Sequence, residues 1–258
     1  MTLSRKRIVF LTSTRADFGK LKSLIKITKS NRNFDVSIIV TGMHMLDRFG
    51  NTYQEVIKAF KNNITRFINQ NSNDKLEVIL HKTIKKLSTI IKKKKPDLII
   101  VHGDRVESLA FALVGSLNHI LTAHVEGGEI SGTIDDSIRH AITKLSHIHF
   151  VGSSIAKKRI LNMGEKKESI YEIGSPDMDI IINKKLPDFK TVKKRYDIKF
   201  DNYSILMWHP VTSQLKTLAN DTKNLINFLN KLNRNFVIVY PNNDPGSSII
   251  INKYESIK

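Results

Sequence analysis

Cysteine is absent from the 258-residue sequence. That excludes disulfides, thiolate nucleophiles and cysteine-based zinc or iron–sulfur centres, and leaves only histidine and carboxylates as metal ligands. Long apolar runs are lacking as well. No stretch approaches the ~18 consecutive apolar residues of a membrane span, and no secretory-type apolar segment opens the chain, so a cytoplasmic protein without membrane contact is the expectation. Aromatic residues make up 7% of the chain, and negative charge is the scarcer sign, with 24 Asp and Glu against 42 Lys and Arg for a net +18. Such an excess can draw nucleic acid by counterion release. Here the lysines fall on polar faces of helical patterns (Lys22, Lys26, Lys29; Lys82, Lys85, Lys86) and in the run Lys92 to Lys95, which ends a helix where cations suit its dipole. No aromatics alternate with them, so the charge reads as solvated surface and no nucleic-acid partner is expected.

What is present suits ordinary globular cores, with 40% hydrophobic residues. Short β-branched runs (Arg7 to Thr12, Asp35 to Val40, Asp97 to His102, Leu121 to Val125, His147 to Val151, Ile170 to Ile173) alternate with longer stretches whose apolar residues recur every three or four positions. The helical stretches are Lys20 to Ser30, Leu76 to Lys94, Val106 to Leu117 and Ser153 to Met163. This alternation predicts a parallel sheet covered by helices. Phe60 to Asn73 fits least well and reads as a short strand with a polar loop. From Lys184 to Asp201 the pattern breaks into a charged segment containing Pro187. A second series then begins: strand Ser204 to Trp208, helix Leu218 to Leu232, strand Phe236 to Tyr240 and the start of a helix near Ser247. The expected division is a first Rossmann-like domain over 1–185 and a second over 186–258, the latter incomplete with its two strands.

The strands run out into polar, Gly-containing turns: Thr12 to Gly19, Thr41 to His44, His102 to Arg105, His124 to Gly132 and Gly174 to Pro176. In a doubly wound sheet such turns share one edge. Asp17 can cap a helix and pair with Arg15; alternatively Arg15, the helix N-terminus and Gly19 can hold a diphosphate. Neither a P-loop nor a dinucleotide fingerprint is present. Asp104 either caps the next helix or works with Arg105. Glu126, ending an apolar strand ahead of two glycines, is expected to lie in a crevice where desolvation raises its pKa. Glu129, Asp135 and Asp136 follow, either capping the helix that carries Arg139 and His140 or acting as acid–base groups or ligands. Magnesium would suit such carboxylates, but no spaced acidic triplet ends a strand. His147 and His149, two apart on a strand, should point the same way and read as packing rather than as ligands. No metal is expected.

Taken together, STRADFGKL (Ser13 to Leu21), GMHMLDRFGNTYQEV (Gly42 to Val56), HGDR (His102 to Arg105), HVEGGEISGTIDDSIRHAITKLSH (His124 to His147), WHPVT (Trp208 to Thr212) and YPNNDPGS (Tyr240 to Ser247) resemble the hydrolysing UDP-N-acetylglucosamine 2-epimerases of sialic and legionaminic acid pathways. Non-hydrolysing relatives resemble the chain in HGD and HVE but differ in the first turn and after the glutamate. The resemblance implies an α/β fold of two Rossmann-like domains, like glycosyltransferase B, the first catalytic and the second binding UDP. It also implies a reaction without metal or nicotinamide, in which UDP leaves a 2-acetamido sugar by anti elimination and water adds to the resulting glycal. Asp104, Glu126 and Asp135 match the family's catalytic acids. Arg15, Asp17, His44, Arg105, His209 and Asn242 match substrate-contacting positions. A UDP-sugar substrate and a homo-oligomer, dimer or tetramer, are implied for the full-length enzyme. Family members continue beyond this length, so a C-terminally truncated chain, inactive or nearly so alone, is the expectation. A UDP-sugar glycosyltransferase of the same fold and a non-catalytic nucleotide-sugar-binding fragment are the competing readings.

Overall fold

The computed structural model describes residues 4–71, 74–182 and 186–256. The chain divides into two compact units, Met1–Lys184 and Lys185–Lys258. The junction expected after residue 185 adjoins residues 183–185, and the end of the Phe60 to Asn73 segment includes 72–73; both lie outside the described residues.

In the first unit β1 (Lys6–Thr12), β2 (Phe34–Val40), β3 (Ile64–Arg66), β4 (Leu98–His102), β5 (Leu121–Val125), β6 (Ile148–Val151) and β7 (Ile170–Glu172) form one sheet of order β3-β2-β1-β4-β5-β6-β7. Every pairing is parallel. All carboxyl ends therefore share one edge, and the order reverses between β1 and β4, the topological switch point where doubly wound sheets take their ligands. Alternate side chains leave opposite faces of each strand. Phe10, Ile38 and Ile100 meet Phe18, Leu21 and Ile25 of α1 (Arg15–Ser30) and Val56 of α2 (Tyr53–Phe60). Leu11, Ile39, Ile99 and Val101 meet α3 (Leu76–Lys94), α4 (Val106–Leu117) and α5 (Ile134–Lys144). Each fully buried side chain of this size stabilises the fold by about 1.5–3 kcal/mol, so the central strands are the most firmly held. Val151 and Ile170 pack on Ala156 and Ile160 of α6 (Ser154–Asn162) beside the edge strand, and α7 (Met178–Ile182) follows.

Two local expectations are corrected here. The first helix starts at Arg15, not Lys20, because Thr14 is its N-cap and accepts from the Asp17 N–H while Asp17 reciprocates, a capping box. The charged segment around Pro187 contains α8 (Phe189–Arg195), capped by Asp188, whose carboxylate accepts from the Thr191 N–H at 3.0 Å.

The second unit pairs β8 (Ser204–Met207) with β9 (Phe236–Val239) in parallel. Leu218 and Ile226 of α9 (Leu215–Lys231) and Ile250 and Tyr254 of α10 (Ser247–Glu255) form its core. Gly246 has φ +93, and a Cβ there would stand 2.7 Å from both Leu215 and Leu218, so glycine is what lets the β9–α10 turn close on α9. Among the described residues no helix is long and apolar enough to cross a membrane.

Candidate active site

The residue after β5 is Glu126, with φ +60, a left-handed conformation costing a non-glycine residue about 1–2 kcal/mol. Its N–H donates to the Phe150 carbonyl at 2.8 Å. The two glycines that follow are required by space: a Cβ on Gly127 would lie 2.8 Å from His124 Nδ1, and one on Gly128 (φ +81) 2.6 Å from the Ala156 carbonyl oxygen. The Glu126 carboxylate accepts from His102 Nε2 at 2.8 Å and from Lys20 Nζ at 2.6 Å. Lys20 also lies 3.6 Å from Asp177, in the turn after β7. Burial alone would raise the Glu126 pKa, as the sequence led us to expect. The hydrogen bonds and charges of His102 and Lys20 outweigh it and hold the carboxyl at about 2, so a raised pKa for Glu126 is corrected to a lowered one. For Lys20 the same pairing, with Asp177, overcomes a burial effect of opposite sign and raises its pKa.

Because His102 pairs with Val125 across β4 and β5, the turns after these strands emerge side by side. Asp104 lies in the first and does not cap α4, whose N-cap is Arg105 without a side-chain bond. It is instead ion-paired to Arg139 of α5. The same guanidinium donates to Asp136 at 2.9 Å and to the Glu129 carbonyl at 2.8 Å, stitching the two turns together. Asp135 is half-buried in the first turn of α5, where the Thr133 hydroxyl donates to its carboxylate at 2.9 Å. The structure thus gathers Asp104, Glu126 and Asp135 on adjoining turns at the carboxyl edge.

Arg15 is half-exposed at the start of α1 and pairs with Glu55 at 3.5 Å, not with Asp17. Asp17 is neither an N-cap nor open to a ligand. It is 4% exposed, and its carboxylate accepts from the Ser13 N–H at 2.9 Å and the Thr14 N–H at 3.1 Å. His44 is fully buried, its ring nitrogens 3.0 Å from the Thr12 hydroxyl and 2.7 Å from that of Thr52. Burial lowers its pKa against the pull of Asp17, so it braces the β1 turn from behind. Arg105 lies 3.7 Å from Glu107. His124 is buried with its pKa lowered by that burial to about 3. The neutral ring donates from Nε2 to the Gly103 carbonyl at 2.8 Å and accepts at Nδ1 from Thr143 at 3.1 Å, tying the two turns from below. His147 precedes β6 and is exposed, accepting from the Thr122 N–H, whereas His149 is buried 3.3 Å from Glu165. The expectation that both point the same way from one strand is corrected. Among the described residues no three His, Asp or Glu side chains converge as metal ligands would.

In the second unit His209 and Asn242 follow β8 and β9, whose register pairs Met207 with Val239. Their turns therefore leave the same edge of that sheet, His209 exposed and Asn242 half-buried. Residues that sequence reasoning passed over are Lys20, His102, Arg139, Asp177 and Glu107. His102 stood within the HGDR motif at a strand end, and Lys20 on the helix after β1, positions that the switch-point rule singles out.

A parallel sheet of this order, with carboxylates, imidazole, lysine and arginine collected where it reverses, defines a Rossmann-like α/β class. The family model described as UDP-N-acetylglucosamine 2-epimerase matches residues 26–258. The UDP-N-acetylglucosamine 2-epimerase of Neisseria meningitidis serogroup B is 42% identical over 98% of this chain and 68% of its own length. The UDP-N,N'-diacetylbacillosamine 2-epimerase (hydrolyzing) of Legionella pneumophila is 34% identical over 95% and 66%. The chain belongs to the UDP-N-acetylglucosamine 2-epimerase family and spans about two thirds of the length of these relatives. In fold it is similar to the Methanocaldococcus jannaschii UDP-GlcNAc 2-epimerase solved with UDP-GlcNAc and UDP, at TM-score 0.78 and 19% identity over 98% of this chain and 70% of that one. That likeness gives the fold class as glycosyltransferase-B-like, with two Rossmann-like units of which the second contributes two strands here.

Proposed function

We propose that this chain is the larger part of a hydrolysing 2-epimerase that converts a UDP-2-acetamido sugar and water into UDP and the free 2-epimeric sugar. A base takes the C2 proton while the C1–O bond breaks and UDP leaves with the electron pair. Water then adds across the C1=C2 bond of the glycal, its oxygen to C1 and a proton to C2 from the opposite face. The observation that carries the reading is the Glu126 carboxylate held between His102 and Lys20 on the edge where Asp104 and Asp135 also stand. Negative charge grows on the departing diphosphate and positive character on C1, so cations and carboxylates must be preorganised separately. Arg15 and Arg105, after β1 and β4, suit the diphosphate. Glu126, ionised through the neutral range, suits the electron-poor C1, and a carboxylate of such low pKa is a weak proton acceptor. Asp104 and Asp135, on the adjoining turns, are the carboxylates we assign to proton transfer at C2 and to water, Asp104 with its ion pair to Arg139 and Asp135 with its hydrogen bond from Thr133. His209 and Asn242 would contact sugar and nucleotide from the second unit.

The hydrolysing branch is favoured by the long segment His124 to His147 and by the name of the Legionella relative. The test is NMR of the products formed by the protein at its relatives' full length, with UDP-N-acetylglucosamine and with a UDP-diacetamido-trideoxy sugar. Free 2-epimer plus UDP is expected. Accumulation of the intact UDP-linked 2-epimer would assign the non-hydrolysing reaction, sugar transfer only in the presence of an acceptor would assign a glycosyltransferase, and UDP binding without turnover would assign a binding role.

A further inference from the structure

Glu107 has no part in the reaction above, yet it is a fully buried carboxylate at the switch point. It stands in the first turn of α4, where an acid ordinarily serves the helix dipole from solvent. Here it is 0% exposed. Burying a charge costs several kcal/mol unless a counter-charge and hydrogen bonds compensate. Its Oε1 faces the side-chain amides of Asn69 and Gln70, each at 3.4 Å, and its Oε2 lies 3.7 Å from Arg105 Nε. Asn69 is itself fixed, donating to Thr83 at 2.8 Å and accepting from the Gly42 N–H at 3.0 Å. Gly42 has φ +65, and a Cβ there would come 2.9 Å from Glu107 Oε1 and 2.7 Å from the Ser13 carbonyl oxygen. The turns after β2, β3 and β4 therefore close on one carboxylate, with the Ser13 carbonyl of the β1 turn packed on the other side of Gly42, and the guanidinium beginning α4 lies within ion-pair distance of it.

We infer that Glu107 is the positioning residue of the leaving-group site, its buried carboxylate holding the Arg105 guanidinium in place for a nucleoside diphosphate. This rests on the reading of Arg105 as a diphosphate contact. A guanidinium anchored from behind need not be ordered when the ligand arrives, which keeps more of the binding energy for the transition state. The arrangement differs from a general structural salt bridge in one measurable respect: Glu107 influences UDP only through Arg105.

The experiment is a double-mutant cycle of Arg105→Ala and Glu107→Gln in the full-length protein, reading UDP affinity by calorimetry and kcat and KM in parallel. Glu107→Gln keeps the side-chain size and Oε1 but removes the charge. It is expected to weaken UDP binding about tenfold in the wild-type background and to have no further effect in the Arg105→Ala background. Should Glu107→Gln fail to fold, Asn69→Ser removes one of the two amides facing Oε1 while leaving the charge, and the same cycle is run with it, a smaller loss confined to the Arg105-containing background being expected. Equal losses in both backgrounds overturn the inference alone. Unchanged UDP affinity in Arg105→Ala overturns the Arg105 assignment and the inference with it, while the product identity measured above stands or falls separately.

Discussion

Lys20 Nζ lies 2.6 Å from Glu126 Oε2, an ion pair joining residues 106 positions apart and linking the helix after β1 to the end of β5. Lys20 is raised and Glu126 lowered in pKa by the contact, each against its own burial. A carboxylate whose folded pKa is depressed contributes stability that is present above its unfolded value and disappears as the pH falls through the folded one. For Glu126 that window runs from 4.5 down to about 2. Lys20→Met should cost about 2 kcal/mol at neutral pH, between the values for exposed and buried pairs. The gap from wild type should narrow as the pH drops through the window. Urea unfolding at a series of pH values measures it, and a gap constant from pH 7 to pH 2 would show that the pair contributes nothing through ionisation.

Arg139 holds three acceptors from two turns: Asp104, Asp136 and the Glu129 carbonyl. Its residue is 7% exposed. Removing it strands partly buried carboxylates, so Arg139→Ala is expected to destabilise the protein by about 3 kcal/mol and to depress kcat by loosening Asp104. Arg139→Lys keeps the charge but cannot span three acceptors with a fork, and should recover stability more than turnover. Calorimetric unfolding beside steady-state kinetics separates the two. Full recovery of kcat by lysine would reduce Arg139 to a counter-ion.

The first unit's architecture was legible because its signals are local. A run such as Leu121 to Val125 and a helical period such as Val106 to Leu117 report burial element by element, and both elements occur with those bounds. The turns that carry Asp104, Glu126 and Asp135 were legible because a parallel sheet puts its loops on one edge. Partners were not. Glu126 looked like a desolvated acid because its own neighbours are apolar strand and glycine, while the groups that reverse its pKa come from positions 20 and 102. Asp17 looked like a cap because Thr14 and Asp17 share one capping box, and only the geometry shows which is N-cap and which N3.

Gly128 and Gly132 both have positive φ, but only Gly128 is crowded: its Cβ would meet the Ala156 carbonyl oxygen at 2.6 Å, while Gly132 has nothing within 4 Å. Gly132→Ala should therefore cost only the left-handed backbone, about 1 kcal/mol. Gly128→Ala adds displacement of α6 and should cost roughly 2–4 kcal/mol, with a fall in turnover from its neighbour Glu126. Equal losses in denaturant unfolding would mean that α6 yields freely.

Exhaustive chelation with EDTA should leave turnover unchanged, and no nicotinamide should be needed. The motive is chemical: arginines at the diphosphate supply the charge that magnesium often supplies, and the first turn lacks a dinucleotide fingerprint. Loss of activity on chelation, restored by magnesium, would assign the acidic turns to a metal instead.

Asp104→Asn, Glu126→Gln and Asp135→Asn should each lower kcat by about 10²- to 10⁴-fold in the full-length protein, but their effects on stability should differ because their structural ties do. Asp135 meets the Thr133 hydroxyl at a helix start, so its amide should fold almost as well as the wild type. Asp104 pairs with Arg139 and Glu126 with Lys20; neutralising either leaves a partly buried cation with only its weaker remaining partners, Asp136 for Arg139 and Asp177 for Lys20, and a lower melting temperature is expected for both. Glu126→Gln also removes the charge proposed to face C1, so it should slow UDP release. A variant impaired only in proton delivery or water activation should release UDP and let glycal accumulate. Rapid-quench measurement of UDP release against glycal and free sugar resolves the steps. Near wild-type turnover in any one variant would withdraw that acid from the mechanism. Glycal accumulating in Glu126→Gln, rather than in Asp104→Asn or Asp135→Asn, would reverse the division of labour between the low-pKa carboxylate and the other two.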